Sequence, residues 1–540
     1  MRKIFIYDTT LRDGAQFEGI SFTVQDKLRI CEKLDSLGID FIEGGWPGAN
    51  PKESEFFEVA SKQLKLKRSK LVAFGSTRRV DSKVAKDAIV NALLKAGTEY
   101  VTIFGKTWDL HVKEVLRTSE KENLKMISDT VSFLSGKGRN VIYDAEHFFD
   151  GYENNPVYAV ETLKAAFDAG AETLVLCDTN GGTLTGRVYE IVEEVKGKIH
   201  APLGIHTHND AEMAVANSIA AVEAGCVQVQ GTFNGYGERC GNANLVSIVP
   251  ALRFKLGYDC LSDLALMEFT EASKYIAETA NMKHHDSQPY VGSSAFAHKA
   301  GVHINAMMKD PRSYEHMDPS KTGNKRRILI SELSGRSSIV KKAGEMGIMM
   351  DQGSPEAMKI LNQVQDMEKE GYQFELAEAS LMLLMKRASS FSQTFFSIDD
   401  LRVIVEKRFG GNIVSEATVK VRVGDVERHT VSMGDGPVHA MDQALRKSLV
   451  DYYPHLKKMH LSDFRVRVLD ERSGTAAKVR VLIQSQDEQD SWWTVGVSEN
   501  IIEASWKAIL DSIEYKLLKD MPAGKDKKAS KQKNTSGRAR

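Results

Sequence analysis

The sequence predicts an α/β chain: a TIM (β/α)₈ barrel, a helical linker region, and a C-terminal domain made of a duplicated βββα unit. Three observations lead there. Between residues 4 and 231 one pattern recurs eight times: a short apolar run, a helical stretch, and commonly a Gly before the next apolar run. All eight runs end in polar or charged residues. From residue 393 the chain changes to alternating strands in the order strand, strand, strand, helix, and that order is repeated once.

The eight runs are Ile4–Tyr7, Phe41–Glu43, Leu71–Phe74, Tyr100–Phe104, Val141–Asp144, Thr173–Cys177, Leu203–His206 and Val227–Gly231. Near-identical joints precede four of them: Leu37-Gly38, Ala96-Gly97, Ala169-Gly170 and Ala224-Gly225. Gly suits the left-handed residue that ends a helix. In the first helix Leu28, Cys31, Leu34 and Leu37 form an apolar stripe, and Thr23 with Asp26 reads as its cap. A doubly wound open sheet is the structural alternative. It is disfavoured because no GxGxxG turn follows the first run and polar residues close every run rather than one crossover.

The 540 residues, 42% of them hydrophobic, admit several domains. The reading is a catalytic barrel over 1–265, helical linker and lid subdomains over 266–390, an allosteric or dimerising domain over 391–519, and a disordered basic tail over 520–540. Within the helical region, Ser293–Asn305 reads as an irregular lid or linker loop because small residues and Gly flank His298 and His303. A net charge of −1 gives no global field favouring nucleic acid or an anionic membrane. No run reaches the ~18 apolar residues that a membrane span needs. The start of the chain lacks a signal-cleavage pattern, and the five cysteines are odd in number with no CxxC, so a cytoplasmic chain with reduced thiols is expected.

Barrel chemistry sits at the C-terminal strand ends. In a strand, residues two apart share a face, so His206 and His208 project together. Asp13 completes a facial set, and Asn242 offers a neutral oxygen. Two imidazoles with oxygens suit Mn²⁺, Zn²⁺, Fe²⁺ or Mg²⁺. Such a centre can polarise the ketone of a chelated 2-oxo acid. Arg12 stands beside the ligand Asp, placed to stabilise an alkoxide, and Gln16 and Thr179 can hold the carboxylate. A carbon nucleophile needs a base, for which Glu146 and His303 both stand as candidates.

Three motifs carry a family resemblance: Asp8-Thr9-Thr10-Leu11-Arg12-Asp13-Gly14, His206-Thr207-His208-Asn209-Asp210, and Gly237-Glu238-Arg239-Cys240-Gly241-Asn242. They resemble the metal-dependent acyl-CoA:2-oxo-acid synthases, the group of 2-isopropylmalate, homocitrate and citramalate synthases, with HMG-CoA lyase as a relative. Ile42–Gly48, Phe74–Arg79, Phe104–Trp108 and Tyr143–Gly151 resemble the citramalate branch. The resemblance implies acetyl-CoA and pyruvate as substrates on a route to isoleucine, a divalent cation (Mn²⁺, Mg²⁺ or Zn²⁺), and feedback at the C-terminal domain. It implies Asp13, His206, His208 and Asn242 as metal ligands, catalysis by Arg12, Glu146 and His303, and Tyr314 near the site. A lid that completes a neighbour's site points to a homodimer.

Two departures stand out. Gln16-Phe17-Glu18-Gly19 replaces the usual Pro-Gly, and Asn305 replaces an Asp two residues after the lid His. Asn cannot hold a proton as a carboxylate does, which shifts weight from His303 to Glu146. The competing readings are 2-isopropylmalate synthase, a carbon–carbon lyase, and a binding protein on an inherited barrel. Bulky Trp46 and Phe104 at strand ends are expected to fill the space that an isopropyl group would need.

Overall fold

The computed structural model describes residues 2–351, 353–389, 394–407, 411–470 and 476–521. All but two residues of the expected tail lie outside that set. Contacts among the described residues divide the chain into two compact units, Met1–Phe296 with Met317–Arg326, and Ala297–His316 with Arg327–Arg540.

The first unit is a closed barrel of parallel strands in sequence order. They are β1 (Phe5–Asp8), β2 (Phe41–Gly45), β3 (Lys70–Ser76), β4 (Tyr100–Lys106), β5 (Asn140–Glu146), β6 (Ala171–Asp178), β7 (Leu203–Thr207) and β8 (Gln228–Gly231). β8 pairs back onto β1, with Tyr7 opposite Gln230. Each expected strand is present. Several run one or two residues further at the C-terminal end, because rim residues such as Lys106 and Glu146 continue the ladder.

Amphipathic helices surround the strands: α1 (Val24–Leu37), α2 (Pro51–Gln63), α3 (Ala88–Lys95), α4 (Glu120–Gly136), α5 (Phe148–Asn154), α6 (Pro156–Asp168), α7 (Thr185–Lys198) and α8 (Ala214–Ala224). The cap of α1 is a full capping box between Thr23 and Asp26. At its other end Gly38 takes φ 81°, ψ 30°, the left-handed position expected of it. The large core lies between strands and helices. A smaller cluster of Tyr7, Val72, Ile142, Val175 and Cys177 fills the barrel interior below the mouth.

In the second unit, Gly301–Lys309 is a helix, so His303 and Asn305 belong to a helix rather than to the irregular loop expected there. Ile304 and Met307, both buried, anchor it. Further along, Ser397–Lys407, Ile413–Val423 and Val426–Gly434 form one antiparallel sheet, and His460–Val468, Val479–Gln486 and Ser491–Ser498 form another. The helices Pro437–Leu449 and Ile501–Lys519 pack on these sheets and share one core, as the duplicated pattern requires. No helix of the described residues is long and apolar enough to cross a membrane.

Candidate active site

The turn after β1 is wound tightly. The N–H groups of Arg12, Asp13 and Gly14 all donate to the Thr9 carbonyl at 2.9–3.1 Å. Asp8 secures the turn by accepting from the N–H and hydroxyl of Thr10, each at 2.9 Å. This carries Asp13 over the barrel mouth. From the other side, the loop after β8 folds back so that Asn242 bridges to His208 and Asn209 N–H donates to the Gly241 carbonyl at 2.8 Å. Gly241 has φ 93°, and a Cβ there would lie 2.1 Å from the Gly235 carbonyl, so only Gly makes this return.

Three side chains converge as a result. His206 Nε2 lies 3.2 Å from His208 Nε2 and 3.3 Å from Asp13 Oδ2, and His208 Nε2 lies 3.9 Å from the same oxygen. All three residues are buried. Among the described residues they are the one His/Cys/Asp/Glu group compact enough to hold a metal ion. Asn242 Nδ2 donates to Asp13 Oδ2 at 2.9 Å, while its Oδ1 is buried without a hydrogen-bond partner.

The protonation pattern suits a cation. Gln230 donates through Nε2 to Asp144 Oδ1 at 3.0 Å, so its Oε1 faces His206 Nδ1, also at 3.0 Å. An amide oxygen only accepts, which places an imidazole proton on Nδ1 and turns Nε2 towards Asp13 and His208. Burial and the neighbouring His206 push His208 down to about 4, so it is neutral. Burial would raise Asp13, but the charge of Arg12 and the hydrogen bond from His206 outweigh it and hold the carboxyl well below its usual range. Burial lowers His206, but the hydrogen bond and charge of Asp13 outweigh it and raise the imidazole above its usual value, so a cation would compete with a proton for Nε2. An ionised carboxylate, two imidazole nitrogens and an orphaned amide oxygen are a fitting donor set for a hard or borderline divalent cation.

Arg12 projects into the same pocket. Its Nε donates to Glu43 Oε1 at 2.5 Å, its Nη1 lies 3.4 Å from Asp13, and its guanidinium stacks 3.8 Å above the Phe74 ring. Glu43 is fully buried and also accepts from the Tyr7 hydroxyl at 2.7 Å. The cavity measures about 220 Å³ and brings together Arg12, Asp13, Gln16, Glu146, Thr179, His206 and His208. Trp46, Phe74 and Phe104 wall one side, with ring centroids 5.5–5.9 Å apart. Glu146 pairs with Lys106 on the neighbouring strand.

Comparison with known proteins places this arrangement. Residues 3–276 match the HMGL-like family, 290–371 the homocitrate synthase post-HMGL domain-like family, and 375–517 the LeuA allosteric (dimerisation) domain. A curated (R)-citramalate synthase of Aquifex aeolicus is 54% identical over 97% of this chain and 99% of its own. One of Geobacter sulfurreducens is 54% identical over 96% of this chain and 98% of its own. A 2-isopropylmalate synthase of Methanocaldococcus jannaschii covers 96% of this chain and 95% of its own at 29% identity. The chain belongs to the (R)-citramalate synthase family.

In this member of the citramalate synthase family the barrel unit holds Arg12, Asp13, Gln16, Glu146, Thr179, His206, His208 and Asn242 together. His303 and Tyr314 stand in the second unit, where their rings stack with centroids 4.2 Å apart. Asn305 follows His303 by two residues on a helix, a spacing at which side chains do not face one another. Three residues of the site were given no role from the sequence: Glu43, which grips Arg12, and Gln230 and Asp144, which bear on His206. Glu43 and Asp144 do close the apolar runs read as strands two and five; nothing in the spacing marks Gln230.

Proposed function

We propose that the chain condenses acetyl-CoA with pyruvate to give (R)-citramalate and CoA, a committed step towards isoleucine. The carrying observation is the Asp13–His206–His208 cluster lying beside Arg12 in a cavity of about 220 Å³, a size matched to a three-carbon oxo acid next to an acetyl group. Asp13, His206 and His208, with the amide oxygen of Asn242, would hold Mn²⁺, Mg²⁺ or Zn²⁺, and when bound this ion supplies Lewis acidity towards the ketone. Gln16 and Thr179 hydrogen-bond the oxo acid's carboxylate. Glu146 takes a proton from the acetyl methyl group, and the resulting carbanion forms a bond to the ketone carbon. The ketone oxygen becomes an alkoxide, which the Arg12 guanidinium, fixed by Glu43 and Phe74, stabilises before it is protonated. Water then cleaves the thioester and releases CoA. Trp46, Phe74 and Phe104 keep bulk water from the carbanion and limit the acceptor's side chain.

We further infer a homodimer, supported by the match to a domain described as allosteric and dimerising, with isoleucine as the effector suggested by the resemblance. The test is a panel of 2-oxo acids with acetyl-CoA, following free thiol with and without chelator. Chelator-sensitive thiol release with pyruvate well above 2-oxoisovalerate is expected. Equal turnover of the two acids would point to 2-isopropylmalate synthesis, and cleavage without condensation to a lyase.

A further inference from the structure

The ends of β4, β5 and β6 carry a second cluster that the chemistry above leaves unused. His147 follows Glu146 directly and adopts φ 54°, ψ 37°. This is the left-handed region, which L side chains occupy only where the surroundings impose it. The peptide joining Glu146 to His147 is gripped at both ends. Thr107 Oγ1 donates to the Glu146 carbonyl at 2.6 Å, and His147 N–H donates to Thr179 Oγ1 at 2.9 Å.

The ring is gripped as well. His147 Nδ1 lies 3.1 Å from Asp150 Oδ2, which also accepts from Asn180 Nδ2 at 3.1 Å. His111 meets the ring edge-on with centroids 4.4 Å apart, and Trp108 stacks on His111. His111 opens a π-helical turn, His111–Val115, and its Nδ1 is buried without a hydrogen-bond partner. Such turns recur at functional sites. α5 then sits so close to the β4 loop that a Cβ on Gly151 would lie 2.6 Å from the Thr107 carbonyl. With this backbone, α5 rests against Thr107 while His147 N–H reaches Thr179.

We propose that His147 is a positioning residue for the condensation. Its left-handed backbone and its bond to Asp150 together fix the direction in which Glu146 and Thr179 enter the pocket. This rests on the reading of Glu146 as the base. The strained conformation is therefore a device that locks the groups from two neighbouring strands relative to each other.

The test uses the full-length enzyme and the variants H147G, H147N and D150N. Gly and Asn tolerate the left-handed backbone but lack the ring. D150N keeps the ring and weakens its anchor. Because small misplacements of reacting groups are costly, kcat is expected to fall about 10–100-fold in H147G and H147N, with Mn²⁺ affinity unchanged. D150N should show a smaller loss in the same direction, and H147G/D150N no more than H147G alone. A purely structural His147 would lower the thermal midpoint and leave kcat at the wild-type value, which overturns the proposal. E146Q is measured alongside. If E146Q stays active, the assignment of the base fails and this inference with it. If E146Q is inactive while H147G and H147N turn over normally, only the inference fails.

Discussion

Gln230→Leu isolates the link between the barrel interior and the proposed metal ligands. In the native site Gln230 accepts from His206 Nδ1 and donates to Asp144, all three buried. Leu removes both bonds with little change in volume. His206 then loses the acceptor that keeps its proton on Nδ1, and Asp144 loses its amide donor. Removing the partner of a ligating imidazole typically weakens metal binding 10–100-fold, equivalent to about 1.4–2.7 kcal/mol. Each buried group left unpaired adds ~1–3 kcal/mol of destabilisation to the metal-free fold. The assay is calorimetric titration of chelator-treated protein with Mn²⁺, beside thiol release at rising metal concentration. The expected result is a Kd weakened 10–100-fold and turnover partly restored by excess metal. Gln230→Glu retains an acceptor for Nδ1 and should bind Mn²⁺ at least as tightly as wild type. An unchanged Kd in Gln230→Leu would refute the claim that Gln230 sets the tautomer.

Glu146→Gln should leave Mn²⁺ binding intact and lower kcat about 10²–10⁴-fold; near-normal thiol release would retire Glu146 as the base. Trp46→Ala or Phe104→Leu should raise the kcat/KM ratio of 2-oxoisovalerate to pyruvate, by ~10–200-fold per methylene accommodated, and an unmoved ratio would show that the aromatic wall does not set acceptor size. Burial pushes the Asp8 carboxyl up to about 7, whereas in the unfolded chain it ionises near 4. Between those values the unfolded state binds fewer protons, so the Asp8 contribution falls as pH rises, by at most about 1.4 kcal/mol per pH unit. Wild type should therefore lose urea resistance relative to Asp8→Asn between pH 5 and 7 and not beyond, as comparison of midpoints will show; a difference independent of pH would contradict this.

The barrel was legible because its signals are local. A parallel strand buried on both faces is a plain apolar run, and the Gly at four of the helix-to-strand joints marks a left-handed residue that no periodicity is needed to find. Gly38 and Gly97 both have positive φ. The paired histidines were legible for the same reason, since alternation along one strand places both on one face. The helix at Gly301–Lys309 was not. Its N-cap, Ala300, supplies no side-chain bond, and two apolar residues, Ile304 and Met307, are all that anchor it. Neither a cap nor a stripe announces it.

The residues left without a role in the sequence share a different property: each acts on a partner far away in the chain. Gln230 stands in register with His206 on the adjacent strand, and Lys106 with Glu146. Linear spacing carries no trace of these pairs, because β7 and β8 could slide by one residue without altering either segment's composition. Once the register is fixed, the pairing becomes informative. A polar residue level with a candidate ligand, on the next strand and the same face, is placed to govern that ligand's proton, as Gln230 does for His206. His147 shows the same rule one step further, at the rim. There its backbone N–H reaches Thr179 from β5 to β6. Local sequence thus names the groups proposed to do chemistry, while register between neighbouring strands names the groups placed to aim them.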